Sequence, residues 1–254
     1  MGSWFLSFLV VSAVLIGYMA FFDFLIAEIP IRKLAEAIRQ GTFGDSFGTL
    51  NALFSGLAFS GVLITVLLQR KELSEARKQT VNQQIESQFY NMLSLQQNVV
   101  QGFDIKRGVD IVMVGRDCFK SYVNRLNERY NSYAIKLSPN RVLETYDAMW
   151  QHFRGDLSIY YRSLYSVFRF VSACDHPKKR DFAVVARSFL SDYELVVLFY
   201  NCLSPRGENF KVFAYEFQLF NNLDPKLLLE PKHIKLLDKR AYGENAEIQT
   251  LYDS

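Results

Sequence analysis

Phe47 to Leu68, read as FGTLNALFSGLAFSGVLITVLL, carries no charged side chain over 22 positions. At about 1.5 Å per residue a helix of that length reaches roughly 33 Å, enough to cross a hydrocarbon core. Asp45 bounds it on one side, and Gln69, Arg70 and Lys71 on the other. A core helix of a soluble protein seldom runs so far without a polar face. The stretch therefore reads as a membrane span. Within it Gly48, Ala52, Gly56 and Ser60 recur at every fourth position and fall along one side of a helix. Lipid tails are as apolar as leucine, so helices in lipid associate by close packing, which small residues permit, and Ser60 can add a hydrogen bond. Glycine and alanine are also simply common in membrane helices. The strip does not say whether its partner is another span of this chain or a second copy.

Trp4 to Phe22 is a second uncharged apolar run, of 19 residues. No lysine or arginine precedes it and it exceeds the usual apolar core of a signal peptide, so it reads as an uncleaved anchor. Ala13 and Gly17 form a short pair of small residues on it, and Trp4, Tyr18 and Phe21 stand where interfacial aromatics sit. Between the runs, Pro30 opens IRKLAEAIRQ, with Ile31, Leu34, Ala35 and Ile38 opposite Arg32, Lys33, Glu36 and Arg39. This suits a helix lying in the membrane interface, or a plain connector. The chain thus divides into a transmembrane hairpin over residues 1–68, with spans at about 4–22 and 47–68 and an amphipathic loop at 30–40, and a domain over 69–254. Three basic residues in the loop face four in the twelve positions after the second span, so the positive-inside rule favours a cytoplasmic carboxyl-terminal part by a narrow margin. Three cysteines, Cys118, Cys174 and Cys202, without short spacings suit reduced thiols in a cytoplasmic compartment better than a disulfide framework.

From Gln69 the helix is expected to continue as a polar stalk, since no glycine or proline occurs before Gly102. Leu73, Val81, Ile85, Phe89, Met92, Leu95 and Val99 mark its apolar stripe. Such a stalk could transmit movement from outside the membrane to inside it, or serve as a bundle connector. Further helices are marked by Phe119 to Tyr130, Val142 to Phe153 and Leu157 to Val171, with a turn at Asp175 to Pro177. Ser191 and Glu194 form a capping box opening YELVVLFYNCL, and Phe210 to Leu223 reads as another helix. No alternating β pattern is sustained, and the tail from Tyr242 reads as polar and frayed. The fold class is all-α: a two-helix transmembrane hairpin, a long stalk helix and a cytoplasmic helical bundle.

The chain lacks phosphate-loop, dinucleotide, zinc-protease, serine-hydrolase, CxxC and EF-hand patterns. It reads as a non-enzyme with no cofactor and no metal. His152 reads as a core or edge side chain and His233 as solvated in a basic turn. Cys174 and His176 could supply two metal ligands, with nothing nearby for the other two. Glu144, Asp147 and Asp156 could converge but read as surface or capping groups. A net charge of +3, with basic clusters Lys178-Lys179-Arg180 and Lys232 to Arg240, is too weak to argue for nucleic acid by itself. It is compatible with lying near an anionic leaflet.

Three stretches together resemble one family. GDSFGTLNALFSGLAFSGVLITVLLQRKEL, YYRSLYSVFRFV and ARSFLSDYELVVLFYNCLSPRGENFK are similar to the bacterial phage abortive infection proteins, from about Thr42 to Leu223. Tyr161 and Phe189 depart from the family pattern. The resemblance implies a two-span protein of the bacterial inner membrane acting in anti-phage defence, of the kind found beside retron reverse transcriptases. A reverse transcriptase with its msDNA would then be the repressing partner, and no catalytic residue is carried over. On this basis the chain is expected to be a toxic effector that self-associates through Gly48, Ala52, Gly56 and Ser60 and permeabilises the bilayer, with no small-molecule substrate evident. The alternative is a membrane-anchored sensor, enzyme or regulatory subunit working through the helical domain. The candidate partner or family-motif surface comprises Arg162, Tyr165, Arg187, Glu194, Asn201, Lys178, Lys179 and Arg180. Arg162 and Arg187 are expected to pair with acidic neighbours on bundle ridges.

Overall fold

A computed structural model describes residues 12, 16–20, 23, 43–107, 110–132 and 138–253. Most of the first apolar run and the whole amphipathic loop, including Trp4, Ala13, Phe21 and Pro30 to Arg39, lie outside the described residues. The chain forms two compact units, Met1–Ala76 and Arg77–Ser254. Both take residues from one helix, α1, Phe43–Gln101. Its continuity follows from composition: no proline interrupts the backbone ladder, and the run ends where Gly102 frees the chain to turn.

In the first unit, α1 is bare. Leu57, Val62 and Leu67 are about 60% exposed or more, and every residue from Asn51 to Thr80 is exposed. The helix over Leu50–Gln101 is long and apolar enough to cross a membrane, with a mean hydropathy of 1.9 in its most apolar window. Residues 16–20 are also helical and exposed. Tyr18 joins Gly48, Asn51 and Phe54 in lining a cavity of about 350 Å³.

The second unit is all-α around an aromatic core, with one short exception. After α1, β1 (Asp104–Arg107) and β2 (Asp110–Val114) pair antiparallel with a register shift after Ile105. Gly115 ends the hairpin at φ 59°, a conformation that costs glycine little. The expectation of no β structure is corrected here: Ile, Val and Met in DIVMV, ending at a glycine, are strand-forming residues. Then follow α2 (Asp117–Asn131), α3 (Arg141–His152), α4 (Arg154–Ala173), α5 (Lys179–Ser188), α6 (Asp192–Leu203), α7 (Glu208–Phe217) and α8 (Ala246–Asp253).

Helix α6 is the centre of this unit. Leu195 to Cys202 are all buried, and Phe199 and Tyr200 stand edge to face. The expected capping box is present: Ser191 Oγ accepts from the Glu194 backbone N–H, and the Ser191 N–H donates to Glu194 Oε2 at 2.9 Å. On α1 the buried positions are Phe89, Leu93, Gln96 and Val100, whereas Leu73, Val81 and Leu95 are exposed. Of the expected stripe, Phe89 is buried and Ile85, Met92 and Val99 pack against the core, whereas Leu73, Val81 and Leu95 do not; Leu93, Gln96 and Val100 are the buried positions it missed. Helix α7 stops at Phe217 rather than Leu223, since Gln218 adopts the left-handed conformation and its carbonyl accepts from Arg187 Nη1 at 2.9 Å. The tail is not frayed: Tyr242 and Ile248 are fully buried, and the Tyr252 hydroxyl donates to the Leu237 carbonyl at 3.1 Å.

Candidate functional site

Helices α4, α6 and α7 bring the separate motif stretches to one place. The link between α6 and α7 is a 3-10 turn, Pro205–Gly207. Gly207 lies so close to the end of α6 that a Cβ on it would stand 2.1 Å from the Asn201 carbonyl oxygen. Only glycine fits that approach. Asn201 is buried, and its Nδ2 donates to the Tyr146 hydroxyl at 2.6 Å. Tyr146 in turn donates to the Tyr161 hydroxyl at 3.4 Å, and Tyr161 to the Val197 carbonyl at 3.1 Å. This directed chain of donors satisfies three buried polar groups and locks α3, α4 and α6 together. Burial raises the Tyr146 phenol to about 12, so it stays protonated and remains a donor.

A cleft of about 380 Å³ opens above this network. Tyr161, Arg162, Tyr165 and Ser166 line it from α4, Asn201 from α6, Arg206 from the turn, and Asn209 and Phe210 from α7. Its two arginines differ. Arg206 is ion-paired to Asp147 and stacks over Trp150, 5.3 Å from the ring centre. The Arg162 Nε donates to the Ser158 carbonyl at 3.0 Å, and no carboxylate among the described residues pairs with its guanidinium. Arg187 likewise reaches a carbonyl, that of Gln218, rather than a carboxylate. Both arginines were expected to pair with acids. The correction has a plain cause: Arg162 folds back on a carbonyl of its own helix one turn earlier, and Arg187 reaches the carbonyl of the left-handed Gln218 that ends α7. Tyr165 is half-buried, its ring 5.2 Å from that of Phe213 and 6.2 Å from that of Phe210.

Glu194 is fully buried rather than available to a partner. Its Oε2 also accepts from Ser191 Oγ at 2.7 Å and faces Arg116 Nε at 3.7 Å, while Oε1 has no hydrogen-bond partner. The Tyr160 hydroxyl lies beside the carboxylate without a well-aligned hydrogen bond. Burial outweighs these contacts and raises the carboxyl above its ordinary value.

The basic turn is partly spent within the fold. Lys178 and Lys179 face Glu86 and Glu216, at 3.8 and 3.3 Å, whereas Arg180 is exposed. His176 is buried against Phe182, with Nδ1 accepting from the Lys178 N–H at 3.1 Å and Nε2 facing Glu86 at 3.6 Å. His152 is exposed at the end of α3, its ring against Phe153. His233 is buried, not solvated. Its Nδ1 bonds Tyr200 at 2.9 Å and its Nε2 approaches the Tyr130 hydroxyl at 3.4 Å. No local pattern marks this, because Tyr130, Tyr200 and His233 are brought together only by the 3-10 turns of the tail. Glu144 accepts from Ser138, Asp147 from Arg206 and Asp156 from Tyr122, so these carboxylates do not converge. Among the described residues no group of acids, histidines or cysteines could hold a metal.

Gly48, Ala52, Gly56 and Ser60 are exposed on α1. A Cβ added at Gly48 or Gly56 would meet nothing within 4 Å. Ser60 Oγ donates to the Gly56 carbonyl and Thr65 Oγ1 to the Gly61 carbonyl, each at 2.8 Å, so these hydroxyls spend their protons on their own helix.

The family model described as putative phage abortive infection protein matches residues 154–227. No curated protein and no solved structure matches the chain. The matched segment starts with α4 and ends at the Pro225–Leu227 turn, so seven of the eight residues lining the cleft fall in α4, α6 and α7 stretches that carry YYRSLY, LFYN and PRGENF, and the eighth, Arg206, sits in the turn between them. The match bears out the resemblance to that family and fits a role in phage defence. The GDSFGTLNALFSGLAF stretch lies outside it.

Proposed function

We propose that this chain, a relative of the phage abortive infection proteins through its segment 154–227, is a membrane-anchored effector that damages the bacterial inner membrane on infection. The observation that carries the reading is the bare apolar length of α1 from Leu53 to Leu68, which no described residue covers. Apolar surface of that extent is stable only against lipid or another helix. The first apolar run would complete a two-pass hairpin, and the cavity shared by Tyr18 with Gly48 and Asn51 supports a helix beside that end of the strip. The helical unit would lie in the cytoplasm. Release from a repressing partner, a reverse transcriptase with its msDNA in a retron-type system, would let hairpins associate through Gly48, Ala52, Gly56 and Ser60 and disorder the bilayer.

Gly56→Leu tests this cleanly. A Cβ at Gly56 would meet nothing within 4 Å among the described residues, so lost toxicity in a variant that still inserts in the membrane reports on helix association. Membrane potential, followed by dye uptake after induction, should collapse with the wild type and hold with the variant. An intact potential at full wild-type toxicity would overturn the mechanism.

A further inference from the structure

We propose that the cleft between α4, the Pro205–Gly207 turn and α7 binds a nucleotide phosphate, carried by a free mononucleotide or by the 5′ end of an oligonucleotide. Arg206 is neutralised by Asp147, so the unbalanced charge in the cleft is that of Arg162. A guanidinium with free terminal N–H groups is the side chain best shaped to grip a phosphate in bidentate fashion. A bare anion does not account for the rest of the lining. Tyr165, half-buried and backed by the buried Phe210 ring 6.2 Å away, provides an aromatic surface against which a base gains stacking energy. Asn209 is exposed, with no hydrogen-bond partner among the described residues, and its carboxamide can both donate to and accept from a base edge. Ser166 already donates to the Arg162 carbonyl at 2.9 Å and keeps its lone pairs for an incoming donor. The volume of about 380 Å³ exceeds what phosphate alone would fill and falls within the range of small-ligand sites. The network from Asn201 through Tyr146 and Tyr161 holds the floor rigid, so the cleft is formed before any ligand enters.

This site stands independently of the membrane reading, because occupancy can be measured whether or not α1 spans a bilayer. The full chain, kept in detergent and carrying Trp4→Phe, retains Trp150 as its sole tryptophan, stacked 5.8 Å from Tyr161. Its fluorescence should respond to adenosine 5′-monophosphate or to a 5′-phosphorylated tetranucleotide. Inorganic phosphate and adenosine should each bind at least about tenfold more weakly, since each supplies only one half of the contacts. A tighter tetranucleotide assigns the site to nucleic-acid ends, and a tighter mononucleotide to a free ligand. Arg162→Glu should weaken binding by more than about tenfold while leaving the circular dichroism unchanged, because Arg162 is exposed. Absence of saturation by either phosphorylated probe up to about 10 mM, or equal affinity in Arg162→Glu, would overturn the proposal. So would adenosine binding as tightly as its monophosphate.

Discussion

Replacing Gly207 by alanine should be among the most damaging single-methyl changes in the helical unit. The new Cβ would stand 2.1 Å from the Asn201 carbonyl oxygen, 2.5 Å from its carbon and 2.6 Å from Oδ1. Two of those atoms are backbone and cannot rotate away. Relief requires the turn and the end of α6 to part by about 1 Å, as close-packed interiors do not yield locally. That movement threatens the Ser204 N–H to Asn201 carbonyl bond at 2.9 Å, the Ser204 Oγ bond to the same carbonyl at 2.8 Å and the Gly207 N–H to Ser204 carbonyl bond at 3.0 Å. Losing two or three such bonds at about 1 kcal/mol each, with some residual overpacking, gives a loss of about 3 kcal/mol. For a unit of this size the melting temperature should fall by about 6–12 °C. Trp150, which packs near Tyr161 and under Arg206, reports the transition by fluorescence without contribution from the helicity of α1. A variant melting within about 2 °C of the wild type would refute the close approach and the fixed floor of the cleft.

Glu194 and His233 give further tests. Glu194→Ala removes the capping-box acceptor and should cost about 1–2 kcal/mol, whereas Glu194→Gln should melt at or above the wild type near pH 7. The sign follows from the raised carboxyl: the folded chain holds that proton more tightly than the unfolded one, so its contribution is present below about 4.5 and fades as the pH rises. A Gln variant as unstable as the Ala variant would contradict this. Burial lowers His233 below its ordinary 6.5, with Glu230 opposing and Lys232 and Arg141 reinforcing the shift. The unfolded chain therefore binds the proton first, and stability should fall as the pH drops below about 6.5. Glu230, held at about 2 by Lys232 and Tyr130, removes stability in the same direction only below about 4.5. Between pH 7 and 5.5, His233→Gln should melt with a shallower pH dependence than the wild type, and an unchanged slope would exclude His233 as the source.

The helices of the second unit are legible from local signals where an apolar period and a boundary residue agree. Ser191 and Glu194 capped α6 as read, and Gly102 ended α1 as read. Failures came where long-range contacts decide. Nothing near His233 marks it as buried, since its partners Tyr130 and Tyr200 lie far away in the chain. The tail from Pro225 to Tyr242 forms successive 3-10 turns whose spacing has no simple period. Arg162 and Arg187 carry no sequence mark of their carbonyl partners, because a helix-interior carbonyl and a left-handed Gln218 are features of backbone geometry alone. The convergence on one cleft of YYRSLY with the stretch that holds both LFYN and PRGENF is likewise invisible in the sequence, because it depends on how α4 packs beside α6 and α7.

The most direct test of the account is whether α1 lies in lipid. Membranes from cells producing the full chain, washed with alkaline carbonate, should keep the protein in the pellet until detergent is added. A helix exposing Leu57, Val62 and Leu67 along an uncharged run has no comparable partner in water. Recovery of folded protein in the supernatant without detergent would contradict the central claim.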